Sequence, residues 1–294
     1  MADKEILARA RTYLYANSRL IDRRRFEYHF EGGSRQAVID TLRMYQNPDG
    51  GFGHALEADI RTPTSQPVPT EMALHIMDDI GAYDLDIVEG IVRYLRAITL
   101  PDGGFPFVLR SASEYPHAPW WKAERDDVAS INPTGSILGL LYKQKTNPAI
   151  AEEAWFKRCE EYVWRTMDLE QPNGYHDGIQ WIEFLRHTPD QARAKRYLAI
   201  VDEWLKRPGT IERDPNGQGY VHKVLDWAPT PSSYASRFIS DDDLRVHLQA
   251  LVDQQQEDGG WAISWPAVGP GADAEWRGWL TVDRLITLRA YGWL

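Results

Sequence analysis

Cysteine is nearly absent from this chain. A single thiol, Cys159, stands among 294 residues, so no intrachain disulfide can form and an exported, oxidised fold has no support. Basic runs are also lacking. None exceeds the three arginines at 23–25 and the net charge is −10, which argues against nucleic acid as a partner. No uninterrupted apolar stretch approaches the length that spans a bilayer. The opening residues, MADKEILARARTYLYANSRL, alternate charge with apolar side chains and lack the apolar core of a secretory signal. The expectation is a cytoplasmic protein with no integral membrane segment.

Aromatic residues, by contrast, are abundant: 12 Trp, 14 Tyr and 8 Phe. Such a load fills a large core or lines a cavity for an apolar or ring-bearing small molecule. With 43% hydrophobic and 26% charged residues, the composition is that of an ordinary globular protein able to bury a substantial core.

The chain also repeats itself. DGGF occurs at 49–52 and 102–105, DGGW at 258–261, and weaker versions, PNGY and PNGQGY, at 172–175 and 215–220. Each follows an amphipathic segment: SRQAVIDTLRMYQ, IVEGIVRYLRAI, FKRCEEYVWRTMDLEQ, QARAKRYLAIVDEWL and DDLRVHLQALVDQQQ. Val38, Leu42 and Tyr45 recur at helical spacing in the first, and Leu244, Leu248, Leu251 and Val252 in the last. Most turns are followed by a second, more apolar segment: TEMALHIMDDI, NPTGSILGLLYKQ, IQWIEFLRH and TVDRLITLRAYGWL. A helix apolar around most of its circumference is buried all round. Each unit therefore reads as an outer amphipathic helix, a Gly-aromatic turn and an inner apolar helix. Arranged in a ring, such units make an all-α fold, a single α/α toroid over residues 1–294. The irregular spacing of the turns disfavours a linear solenoid.

The stretch QQEDGGW resembles the QW repeat of squalene–hopene and oxidosqualene cyclases, which recurs in degenerate form in protein prenyltransferase β subunits. Gln256, Gly259 and Trp261 match its Gln, Gly and Trp. Gln46, Gly50 and Phe52 match with one extra residue, and Gln171, Gly174 and Tyr175 match loosely. The resemblance covers roughly residues 30–294 and implies a terpenoid cyclase/prenyltransferase-like α/α toroid. The catalytic motifs of that superfamily do not accompany it. The nearest run to an Asp-x-Asp-Asp acid motif is SDDDL at 240–244, which reads better as a Ser240 cap with three carboxylates in a first helical turn. An Asp-Asp-x-x-Asp magnesium motif is missing. Cys159, on an apolar helix stripe with Trp155, Phe156 and Val163, reads as a buried structural thiol and not a zinc ligand. No metal and no cofactor are expected.

In a toroid, the outer-to-inner connections share one rim, and here they carry the long insertions at 53–70, 106–132, 221–240 and 262–281. Long ordered loops on a rigid scaffold are where function concentrates. The first insertion, GHALEADIR, supplies the candidate acid/base residues Asp59, Glu57 and His54. Two adjacent carboxylates can raise one another's pKa, with the imidazole as proton donor or orienter. Candidate substrate-binding residues are Arg61, Gln66, Glu71, Trp120, Trp121, Asn132, His176, Asp177, Trp181, Trp265 and Trp276. Glu71 and His75 share a helix face, as many solvated pairs do. Trp120 and Trp121 stand in HAPWWKAERDD, which has no helical periodicity to bury them, and suit either a ligand platform or a patch touching a partner or a membrane surface.

Carboxylates beside aromatic faces serve two chemistries. A cation-forming cyclase needs an acid and rings that stabilise positive charge. A carbohydrate-active enzyme needs paired carboxylates and platforms for sugars. The reading is therefore an isoprenoid-processing, terpene-cyclase-like enzyme. A glycoside hydrolase or polysaccharide lyase on the same architecture, or a non-catalytic binding scaffold, is the alternative.

Overall fold

A computed structural model describes residues 2–294. It is mostly helical. The α-helices are α1 (Ala2–Asn17), α2 (Leu20–Phe30), α3 (Arg35–Leu42), α4 (Pro67–Asp79), α5 (Leu85–Ile98), α6 (Ile131–Lys143), α7 (Ala154–Leu169), α8 (Tyr175–His187), α9 (Gln191–Leu205), α10 (Val224–Trp227), α11 (Asp241–Asp253) and α12 (Pro270–Ala290). The only sheet among the described residues pairs β1 (Phe105–Pro106) with β2 (Ala129–Ser130), antiparallel, with Phe105 opposite Ser130. All five amphipathic segments and all four apolar ones form helices, and two further helices precede them. No helix among the described residues is long and apolar enough to cross a membrane.

Packing divides the chain into two compact units, Ile39–Asp202 and the pair of segments Met1–Val38 with Glu203–Leu294. In the Ile39–Asp202 unit, α5 shows why the amphipathic helices form. Asp84 accepts the backbone N–H of Ile87 at 3.1 Å as an N-cap, and Ile87, Val88, Ile91, Val92 and Leu95 make one buried stripe. Helix α4 starts on two prolines, Pro67 and Pro69, where the missing N–H groups cost nothing. Helices α6 and α8 pack backbone against backbone. A Cβ on Gly135 would lie 2.7 Å from Gln180 O, and one on Gly139 2.5 Å from Glu183 O. Cys159 is fully buried, its sulfur 3.3 Å from the N–H of Gly104, and burial pushes its thiol up to about 11.

In the other unit, Ser240 caps α11 by accepting the N–H of Asp243 at 3.1 Å, with Asp241, Asp242 and Asp243 in the first turn. Helix α12 packs on α1 and α2. Arg25 of α2 lies 4.2 Å from the ring centre of Trp279 on α12 and 2.8 Å from Asp283.

The three Asp-Gly-Gly turns share one construction in detail. Gly50, Gly103 and Gly259 have φ of 96°, 85° and 95°, the left-handed region that glycine enters freely. Each also sits against a helix backbone. An added Cβ would lie 2.0 Å from Gly90 O of α5, 2.1 Å from Arg158 O of α7, and 2.2 Å from Arg9 O of α1. The second glycine covers a tyrosine one helical turn further on, with the built Cβ of Gly51, Gly104 and Gly260 within 2.9 Å of Tyr94, Tyr162 and Tyr13.

The following aromatic residue then buries its backbone N–H on a threonine. Phe52, Phe105 and Trp261 donate to Oγ1 of Thr70, Thr134 and Thr281 at 3.1, 3.0 and 3.3 Å. Each hydroxyl in turn donates to the carbonyl four residues back. The turn glutamine recurs as well, but one residue from where the QW match puts it. Gln46 donates to Gly50 O and Ile87 O, and Gln255, not Gln256, donates to Gly259 O and Ile6 O. In that register both turns have the same Gln-to-Gly spacing.

Candidate functional site

The loop leading into α4 is ordered and strained. His54 and Ala55 hold φ of 54° and 58°, a conformation that costs a residue with a Cβ about 1–2 kcal/mol. Backbone bonds fix it, from His54 N to Thr62 O at 3.1 Å and from Leu56 N to Gly53 O at 3.1 Å. The His54 ring is exposed, with Nε2 2.9 Å from Asn47 Oδ1. The two loop carboxylates lie inside, Glu57 3% and Asp59 1% exposed.

Residues beyond Asp59 dock on the second insertion. Ala118 N donates to Asp59 O at 3.0 Å and Arg61 N to Pro116 O at 3.1 Å, while the Arg61 guanidinium donates to Ala58 O at 3.0 Å. A small apolar cluster of Ile60, Val68, Val108, Ala112, Ala118 and Trp121 closes beneath. Trp121 belongs to that cluster, 4.9 Å from the ring of Phe107. Trp120, its neighbour, is 45% exposed. Gln66 is fully buried and ties the two loops together, donating to Ser111 Oγ at 2.8 Å and accepting Leu109 N at 2.8 Å.

A second polar group lies on α4, α6 and α8 of the same unit. Glu71 of α4 accepts Gln180 Nε2 of α8 at 2.7 Å, and the same amide lies 3.3 Å from Asn132 Oδ1 at the start of α6. His75 Nε2 stands 3.6 Å from Glu71 Oε1. Below it, Glu183 Oε1 is 3.1 Å from His187 Nδ1, and Asp78 pairs with Lys143 at 2.7 Å. His176 keeps an exposed ring, yet burial among neighbouring atoms pulls its pKa down against the charges of Glu71 and Asp177. Burial likewise raises the carboxyl pKa of Asp177, opposed by the N–H of Asn173 and helped by the charge of Glu170.

Sequence reasoning named Glu71, Asn132 and His176 here, read His75 only as Glu71's neighbour in an ordinary solvated pair, and passed over Gln180 and Glu183. Their signal was available as ionisable and amide residues at helical spacing inside otherwise apolar helices, where a polar side chain stays only with partners. Trp181 is 1% exposed, with the Tyr197 ring edge-on at 6.3 Å, so it is enclosed in the core of this unit. In the other unit, Trp265 and Trp276 meet edge to face at 5.3 Å, and Tyr220 extends the chain of rings at 6.1 Å from Trp265. Among the described residues no three His, Cys, Asp or Glu side chains gather closely enough to hold a metal ion.

No protein-family profile matches the chain. It is similar to the drimenyl diphosphate synthase of Streptantibioticus cattleyicolor, with 26% identity over 249 residues that cover 80% of this chain. The chain spans 42% of the length of that relative.

Proposed function

We propose that this chain is an isoprenoid-processing, terpene-cyclase-like enzyme that binds an apolar substrate in the central cup of a single α/α toroid. The observation that carries the reading is its similarity to a drimenyl diphosphate synthase. The Asp-Gly-Gly turns support the architecture. Two of them seat on the next amphipathic helix, α5 and α7, and the last seats on α1, the first helix of the chain. A ring of repeats needs that kind of return.

The acid/base carboxylate in this reading is Asp59 or Glu57, beside His54. Both are shut from bulk water on a strained loop. Arg61, Gln66, Asn132, His176, Asp177 and the exposed Trp120 complete the proposed rim.

The test is incubation of the purified chain with linear prenyl diphosphates and squalene beside a panel of oligosaccharides, with products followed by mass spectrometry. A cyclised isoprenoid is the expected product, abolished in Asp59→Asn and Glu57→Gln while circular dichroism stays native. Sugar cleavage would transfer the site to a carbohydrate-active enzyme. Wild-type turnover retained in both variants would move the acid elsewhere.

A further inference from the structure

The polar file on α4, α6 and α8 has a use that the loop carboxylates do not cover. Glu71 and His75 stand four residues apart on α4 with Nε2 and Oε1 at 3.6 Å. A neutral donor, Gln180, fixes the carboxylate at 2.7 Å, and Gln180 is itself fixed by accepting the N–H of Ser136 at 2.6 Å. Glu71 is therefore oriented by a neutral donor, with the His75 imidazole beside it. Side-chain exposure is 42% for His75 and 9% for Glu71, so a solute reaches the ring and not the carboxylate. Nucleophiles and bases at work in enzymes have this arrangement, a reachable group backed by an oriented one.

The surrounding charges support it. His75 feels Asp78 on its own helix and Glu183 on α8; Glu183 in turn has His187 and Lys143 beside it, Lys143 pairs with Asp78, and His176 lies near Glu71. Burial is the strongest single influence on His75 and lowers its pKa, but Glu71, Glu183 and Asp78 together outweigh it and the net shift is upward. Glu183 is opposed by burial and held below the usual carboxylate range by His187, His75 and Lys143, so it stays ionised. An imidazolium formed here has anionic neighbours waiting for it.

We infer that His75, oriented by Glu71, is the catalytic base that takes the proton whose loss ends a cation-forming ring closure. This rests on the isoprenoid reading above. The C–H bond next to the cationic carbon breaks and its electron pair becomes a C=C bond. The proton goes to Nδ1, the nitrogen turned away from Glu71, and then to water. An imidazolium is far too weak an acid to protonate an alkene, so initiation remains with a carboxyl group. Glu71 is a positioning residue in this scheme.

Two measurements test it. The first is acylation by diethyl pyrocarbonate at pH 6, mapped by peptide mass spectrometry. His75 should label alongside the exposed His54, and faster in Glu71→Gln, where loss of the anion leaves more neutral ring, by about twofold or more. A His75 that stays unlabelled while His54 reacts is closed to solutes, which overturns the inference whatever the enzyme does. The second uses the linear prenyl diphosphates with wild type and His75→Gln. Turnover should fall by about 10²-fold or more with KM little changed, and the residual product should shift from olefin to water-captured alcohol. The wild-type rate should rise with pH through a midpoint above the ordinary histidine value, and that midpoint should drop in Glu71→Gln. An active wild type with identical products and rate in His75→Gln overturns this inference alone. A wild type that converts no prenyl diphosphate overturns the isoprenoid reading and the role of His75 together.

Discussion

Gly50, Gly103 and Gly259 share a positive φ with Gly174 and Gly219, all between 83° and 96°. Their surroundings differ completely. A Cβ on any of the first three would overlap a helix carbonyl, at 2.0–2.2 Å. A Cβ on Gly174 or Gly219 would meet nothing within 4 Å. The same residue thus serves two purposes, turning the chain in all five and admitting a neighbouring helix in only three. The sequence marks which is which. The packed turns have an aspartate before a pair of glycines, and a tyrosine waits on the receiving helix for the second glycine. The open turns lack the aspartate and the adjacent pair of glycines.

Alanine substitution separates the two purposes. Gly174→Ala meets no neighbour and bears only the backbone penalty of a positive-φ region nearly reserved for glycine, about 1–3 kcal/mol. Gly50→Ala, Gly103→Ala and Gly259→Ala add a clash with a backbone that cannot rotate away, so each should lose about 3 kcal/mol or more. Denaturant melts of the four variants give the ordering. Equal losses at all four positions would mean that the contacts contribute nothing beyond the turn itself.

The threonine link should give the next largest effect. Replacing Thr70, Thr134 or Thr281 by valine keeps the shape but leaves the N–H of Phe52, Phe105 or Trp261 buried without its acceptor. A buried donor so orphaned costs about 1–3 kcal/mol. Faster amide hydrogen exchange at these three aromatic residues, with a lowered melt, is the expected result. Unchanged exchange would show that the hydroxyls follow the turns and do not hold them.

The helices were legible because hydrophobic periodicity over a dozen residues is a strong signal, and the DGG turns because glycine pairs after an aspartate have few other uses. The Gln256 register was one residue off because QQ offers two candidates and only the acceptor positions, Ile6 O and Gly259 O, choose Gln255. Trp120 and Trp121 look equivalent in sequence, yet one is exposed and the other joins an apolar cluster with Ile60. No local pattern decides that, because the cluster comes from two loops nearly sixty residues apart. The Glu71–Gln180–His75 group was half visible, since its members lie on separate helices and only packing brings them together.

Asp177 gives the smallest expected effect and extends the comparison, because it follows Gly174, the open turn. It has no neighbour packed over that turn, but burial raises its carboxyl pKa, partly offset by the N–H of Asn173. A carboxyl whose folded pKa lies above its unfolded value binds its proton more tightly when folded. Its contribution to stability is therefore fully present below the unfolded pKa and lost as pH rises through the folded one. At neutral pH the ionised Asp177 is a liability to the fold, as residues at working sites often are. Asp177→Asn keeps an oxygen to accept the Asn173 N–H and removes the charge. The variant should melt higher than wild type at pH 7, and the gap should close as pH falls below the folded pKa of Asp177. A gap of the same size at pH 7 and pH 3 would trace the gain to something other than ionisation, and a lower melt at pH 7 would mean that the carboxylate is a stabilising helix-start charge on α8.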